Sequence, residues 1–234
     1  MSAALLAAGA TAAAAGTLAW GAYAPNSRLF GRVVTGGARD RPYLYLTFDD
    51  GPNAEATPRI LETLAREAVP AAFFMVGRHV RLFPDLARAA LAGGHEIGNH
   101  TDSHVKLHRR LPSTIRRELE AAHETIVGIT GRAPRSFRAP HGFRNPFVVP
   151  EARRLGYRVV GWSFGVWDTA RPGVEEIRRR MRAKIRPGSI LLLHDGDGYD
   201  IRGDRLQTAD ALPGILADAR GAGYEFRPLA ELLA

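Results

Sequence analysis

From residue 43 onward the chain switches repeatedly between two hydrophobic periods. Short runs rich in apolar, β-branched and aromatic residues predict strands over residues 43–48, 71–76, 96–98, 136–138, 158–162, 189–194 and 224–226. Between them, amphipathic stretches predict helices over residues 57–67, 84–92, 112–130, 146–155, 173–185 and 206–222. Alternation of this kind implies a parallel sheet covered by helices, either closed as a barrel or open and doubly wound. In both architectures reactive groups gather just beyond the carboxyl ends of the strands. Asp49 and Asp50 follow the first expected strand, His100 the third, and Arg138 ends the fourth. Asp168 lies past the fifth and His194 ends the sixth.

The first 24 residues follow neither period: they are almost continuously apolar, and no charged side chain precedes Arg28. As a helix this segment would span about 36 Å, enough to cross a bilayer. We therefore expect a membrane anchor over residues 1–24, a linker over 25–42 and one catalytic domain over 43–234. A cleaved signal peptide is the alternative, with Ala22-Tyr23-Ala24 as its small-residue site, although the basic leader region is missing. Arg28, Arg32, Arg39 and Arg41 follow the segment and nothing basic precedes it, which by the positive-inside rule places the domain in the cytoplasm.

Composition narrows the classes. The net charge of +8 comes almost wholly from arginine, since Lys106 and Lys184 are the only lysines. These arginines are spread over expected helices without an aromatic-interleaved basic patch, so they read as solvated helix faces and no nucleic-acid partner is expected. With no cysteine, disulfides and thiolate metal sites are excluded.

Two adjacent carboxylates at the end of a buried strand repel each other, and a divalent cation would relieve that repulsion. It would bind one carboxylate and leave the other free as a base toward an activated water. His100 and His104 are four residues apart, which on a helical turn puts both imidazoles on one face. With one carboxylate they would form a two-histidine, one-carboxylate site with positions left for water and substrate. His108 continues the same spacing, so spacing alone does not fix the ligands. Amide hydrolysis also needs an acid for the leaving nitrogen, and His194, at the end of an apolar strand, suits that role. Asp168 could keep its imidazole charged, and Arg138 could pair with the free carboxylate.

At this point the segments "TFDDGP", "HTDSH", "RAPHG", "WDT" and "LLLHD" resemble, in order and approximate spacing, the five motifs of the NodB-homology polysaccharide deacetylases of carbohydrate esterase family 4. The resemblance covers about residues 43 to 230. It implies a distorted (β/α) barrel of about seven parallel strands and metal-dependent N-deacetylation of N-acetylglucosamine-containing glycans such as peptidoglycan or chito-oligosaccharides. Carried over by motif, Asp49 is the catalytic base, Arg138 orients it, and Asp50, His100 and His104 bind the metal, most commonly Zn²⁺, with Co²⁺ another candidate. The backbone N–H of His141 helps stabilise the oxyanion, His194 protonates the amine with Asp168 tuning it, and Leu192 lines the pocket for the acetyl methyl group. Two departures stand out. His141 replaces the usual tyrosine of the third motif, and Asp168 is followed by Thr169 rather than tryptophan, with Trp167 in front, which moves the aromatic wall of the groove. These departures leave open a silent, membrane-anchored glycan-binding module, or an enzyme for a non-glycan amide or an O-acetyl ester. The family implies an extracytoplasmic location, against the flanking charges. A monomer is expected.

Overall fold

The computed structural model describes residues 3–234, with side chains from residue 9 onward. Eight strands form one sheet: β1 (Tyr43–Asp49), β2 (Ala71–Met75), β3 (Glu96–Asn99), β4 (Ser136–Phe137), β5 (Arg158–Val159), β6 (Phe164–Gly165), β7 (Ser189–His194) and β8 (Glu225–Phe226). Their order is β5-β4-β3-β2-β1-β7-β6, with β8 beside the start of β1, and every pairing between them is parallel. The outer helices are α2 (Ala56–Arg66), α3 (Gly77–Leu82), α4 (Pro84–Ala92), α5 (Pro112–Thr130), α6 (Val148–Arg154), α7 (Val174–Lys184) and α8 (Leu206–Gly221). This is the distorted (β/α) barrel expected from the motifs.

The strand period of two sorts β1 into two faces. Leu44, Leu46 and Phe48 point outward into a core shared with Ile60, Leu64, Ile177, Met181, Leu212 and Ile215 from the helices. Tyr45 points inward with Ala72, Phe74 and Ile190, and the same alternation puts Thr47 and Asp49 on that inner face. Both faces are therefore covered, which is why the strand reads as an almost continuous apolar run.

The ends of the sheet, β5 and β6, do not pair with each other. Residues 34–36 lie across this gap: Val34 bridges to Val160 and Gly36 to Ser189. The Gly161 N–H donates to the Val34 carbonyl at 2.8 Å, and Val33 and Ser27 are buried. Residues 25–42, read from the sequence as a linker, thus pack against the domain over much of their length. Two short elements had no counterpart in the sequence pattern, β6 and α3, because two or six residues are too few to establish a period. The strand expected over 158–162 stops at Val159, where the chain leaves the sheet beneath the residue 34 bridge.

The N-terminal helix α1 (Ala3–Tyr23) is alanine-rich, and alanine is the best helix former. Residues 9–20 are exposed, and only the last turn docks, with the Ala22 carbonyl accepting from the Arg144 N–H at 3.0 Å. Among the described residues no helix is long and apolar enough to cross a membrane. The expected anchor begins in residues 1–8, whose side chains lie outside the described residues.

Candidate active site

Asp49 ends β1 and is buried. Arg138, just past β4, reaches across the concave face and donates from Nη1 to Asp49 Oδ1 at 2.6 Å and to Thr47 Oγ1 at 2.9 Å. Its Nη2 donates to the Gly161 carbonyl at 2.7 Å, and the guanidinium lies 4.0 Å over the Phe74 ring. A buried guanidinium needs such partners to offset its desolvation. Burial still pulls its pKa below the usual arginine value, against the opposing pull of Asp49.

At Asp50 the backbone leaves the strand with φ 75, so the second carboxylate turns away from the first. Its Oδ1 lies 3.0 Å from His104 Nε2 and 3.3 Å from His100 Nε2. The ligand atoms of Asp50, His100 and His104 all fall within 4.8 Å of one another, and all three residues are buried. His100 Nδ1 donates to the Arg138 carbonyl at 2.8 Å, which leaves the Nε2 lone pair facing Asp50. Asp50 Oδ1 and His104 Nδ1 are buried without a hydrogen-bond partner. Lone pairs of two nitrogens and one carboxylate oxygen converging in a buried place suit a divalent cation, with coordination positions left for water and substrate. The donor set therefore fits the metal expected from the motifs. Burial pushes the Asp50 carboxyl up, but the adjacent imidazoles outweigh it and hold the group well below the usual carboxylate range.

The helical turn expected for His100 and His104 is not what unites them. They lie on a loop after β3, with left-handed backbone at Thr101 (φ 67) and His104 (φ 59). Asn99 Oδ1 accepts from the Thr101 N–H at 2.8 Å, and Thr101 Oγ1 accepts from the His104 N–H at 3.0 Å. Local side-chain bonds of this sort hold a non-helical turn in place. His108 stands apart from the cluster, its ring 4.9 Å from that of Tyr23 and 5.1 Å from that of Phe143.

His194 ends β7, whose parallel register with β1 sets it directly beside Asp49. Asp168 Oδ1 accepts from His194 Nδ1 at 2.9 Å, and its Oδ2 accepts from the His194 N–H at 2.8 Å and from Thr208 Oγ1 at 3.0 Å. Burial works against the charged imidazole, yet Asp168 prevails and the pKa rises to about 9. His194 is thus an imidazolium at neutral pH.

Asp49, Asp50, His100, His104 and His194 line one cleft of about 720 Å³ together with His141, Leu192, Trp162, Trp167 and Tyr199, while Arg138 and Asp168 are buried behind it. Leu192 is buried in its wall, whereas Trp167 is 72% exposed at its rim with φ 58. His141 has φ 57 and shares a 2.8 Å hydrogen bond with the Tyr199 hydroxyl. Burial pushes its imidazole pKa down to about 4, so the ring is neutral. The structure thus brings together every site residue named from the sequence.

Several supporting residues were missed. Thr47, Thr208 and Tyr199 give no sequence signal, because single hydroxyls occur everywhere. Asp195 follows His194 in "LLLHDG" and could have been suspected from its place beyond a strand. It is buried, accepts from Thr57 Oγ1 at 2.6 Å, and burial raises its pKa to about 7. It packs directly under Gly51, where a Cβ would collide with its carboxylate, and so braces the turn after Asp50.

A polysaccharide deacetylase family model matches residues 36–160, and the chain belongs to that family. Among relatives, it is 39% identical over 196 residues to the chitooligosaccharide deacetylase of Bradyrhizobium sp. (strain ANU 289), covering 81% of this chain and 90% of that one. It is 36% identical over 190 residues to the peptidoglycan-N-acetylglucosamine deacetylase of Bacillus cereus, covering 80% and 86% of the two chains. The fold superposes on the family 4 carbohydrate esterase PdaA of Bacillus subtilis with a TM-score of 0.76 at 30% identity, covering 86% and 84%.

Proposed function

We propose that this chain is a metal-dependent hydrolase that removes acetyl groups from N-acetylglucosamine-containing glycans such as chito-oligosaccharides or peptidoglycan. The observation that carries this reading is the β1–β7 register, which sets a carboxylate (Asp49) beside an imidazolium (His194) next to the Asp50–His100–His104 cluster. Similarity to deacetylases of both glycan types supports the substrate class.

Asp50, His100 and His104 would hold the cation, Zn²⁺ by preference for this N₂O donor set. When bound, it supplies Lewis-acid polarisation of the acetamide carbonyl and of the attacking water. Asp49 takes the proton from that water. Arg138 occupies its Oδ1, so Oδ2 is the oxygen that accepts. The water oxygen adds to the carbonyl carbon, and the His141 N–H stabilises the charge that develops on the carbonyl oxygen. His194 then gives its proton to the nitrogen as the carbon–nitrogen bond breaks, releasing acetate and a free amine. Asp168 keeps that proton available, and Leu192 packs against the acetyl methyl group.

Acetate release from N-acetylated chito-oligosaccharides with added Zn²⁺ or Co²⁺ tests this. Asp49→Asn should keep stoichiometric metal and lose roughly 10²–10⁴ of kcat; full activity in that variant would remove Asp49 as the base. Peptidoglycan and acetylated xylan in the same assay separate amide from O-acetyl ester substrates. The uncharged, alanine-rich run of residues 1–24 is what supports attachment to a membrane, and protease accessibility in intact and opened cells assigns the side on which the domain lies.

A further inference from the structure

The segment that joins α1 to the domain enters the substrate cleft. Tyr23 and Pro25 line the same cleft as Asp49, His104 and His194. Both precede residue 36, where the match to the family model begins. One wall of the cleft is therefore built from chain that precedes the matched segment.

That wall is fastened by Arg144, which follows the third motif and is 2% exposed. Its guanidinium donates to the carbonyls of Pro25 at 2.7 Å, Ser27 at 2.8 Å and Ala24 at 3.3 Å, while its own N–H donates to the Ala22 carbonyl at 3.0 Å. Burial without a carboxylate partner pulls the Arg144 pKa down to about 10. Such a group stays in place only because the backbone carbonyls replace its water. Gly142 makes the approach feasible: with φ 69, it lies where a Cβ would run into Pro25 and Trp162. The Tyr23 ring is held edge-on at 4.9 Å from His108 and 5.2 Å from Phe143, yet 46% of the residue remains exposed.

We propose that Tyr23 is a specificity-determining residue, an aromatic surface on the cleft wall that packs against a pyranose ring neighbouring the reacting sugar, and that Arg144 is the positioning residue that holds it. A pyranose offers an apolar C–H face with hydroxyls at its edge, matching an aromatic ring with a polar tip. This wall offsets the departure at Asp168-Thr169, where the usual tryptophan is absent and Trp167 projects from the rim. The proposal rests on the glycan reading of the same site.

The test uses the full chain loaded with Zn²⁺, with N-acetylchitopentaose as ligand and 4-nitrophenyl acetate as a substrate too small to span the cleft. Tyr23→Ala should raise both Kd and KM for the pentamer roughly tenfold. Its kcat on the pentamer and its rate on 4-nitrophenyl acetate should not change. Arg144→Met should reproduce the KM effect, and the double variant should be no worse than Arg144→Met alone, since one side chain acts through the other. Pentamer Kd unchanged in Tyr23→Ala overturns the proposal, as does failure of the wild-type protein to bind the pentamer. Binding that weakens in Tyr23→Ala without any acetate release by the wild-type protein keeps the wall and overturns the deacetylase reading instead.

Discussion

Asp49 and Asp50 are adjacent in sequence and have opposite surroundings. The left-handed backbone at Asp50 separates them, so that one carboxylate meets a guanidinium and the other meets two imidazoles. Their separate roles follow from those partners, not from any chemical difference between them. His194 shows the same dependence. Its pKa of about 9 is raised chiefly by Asp168, and the proton it carries is lost as pH rises through that value. A folded pKa above the free value of 6.5 also means that the pair's contribution to stability is complete below 6.5 and disappears as pH rises through about 9. A dication bound nearby moves both transitions downward. Asp168→Asn should therefore lower kcat and bring the alkaline limb of the kcat–pH profile toward neutrality, while KM for the glycan stays within a few-fold. An unmoved limb would assign it to another group.

At the scale of elements, strand register does what spacing in sequence cannot. Asp49 and His194 are far apart along the chain and become neighbours only because β1 and β7 pair in parallel with that offset. A one-residue slip of either strand would turn its reactive side chain to the helix-covered face and away from its partner. The loops are equally constrained. Gly198 lies against the His104 imidazole, where a Cβ would strike the ring at Nδ1. Gly198→Ala is expected to displace His104 and weaken Zn²⁺ binding by at least about tenfold, with little change in overall stability because the loop can yield. Titration with a competing chelator measures the first effect and thermal unfolding the second. The five motifs made these positions legible, but not the loop conformation: a four-residue histidine spacing suits a helix and a turn alike, and Thr101 and Asn99 select the turn.

On the scale of the whole molecule, a cation would tie together two loops that leave the carboxyl ends of β1 and β3, strands that are not direct neighbours in the sheet. Asp50 leaves β1, whereas His100 and His104 leave β3, and without a cation a buried carboxylate faces two imidazoles. Binding to the folded state alone adds about 2.7 kcal/mol at a free metal concentration a hundredfold above Kd. For a chain of this size each kcal/mol shifts Tm by about 2–4 °C, so chelation should lower Tm by roughly 5–11 °C, reversibly on adding Zn²⁺ back. An unchanged Tm would show that the cluster does not bind the ion in solution. At the same scale, the segment before β1 is part of the domain: residues 34–36 bridge to Val160 and Ser189, and Pro25 lines the cleft.

The sequence by itself determined the alternation of strands and helices, the placement of reactive residues after strands, and the set of groups that the chemistry requires. Those are properties of local period and residue type, and local interactions express them directly. Only the tertiary structure decided that His100 and His104 meet on a left-handed loop and not on a helical turn, that Thr47 and Thr208 complete the network, and that Tyr23 and Arg144 build a wall of the cleft. The last two depend on contacts between residues distant in sequence. No local pattern records such contacts, because the partners become neighbours only when parallel pairing and helix packing bring the strand ends together.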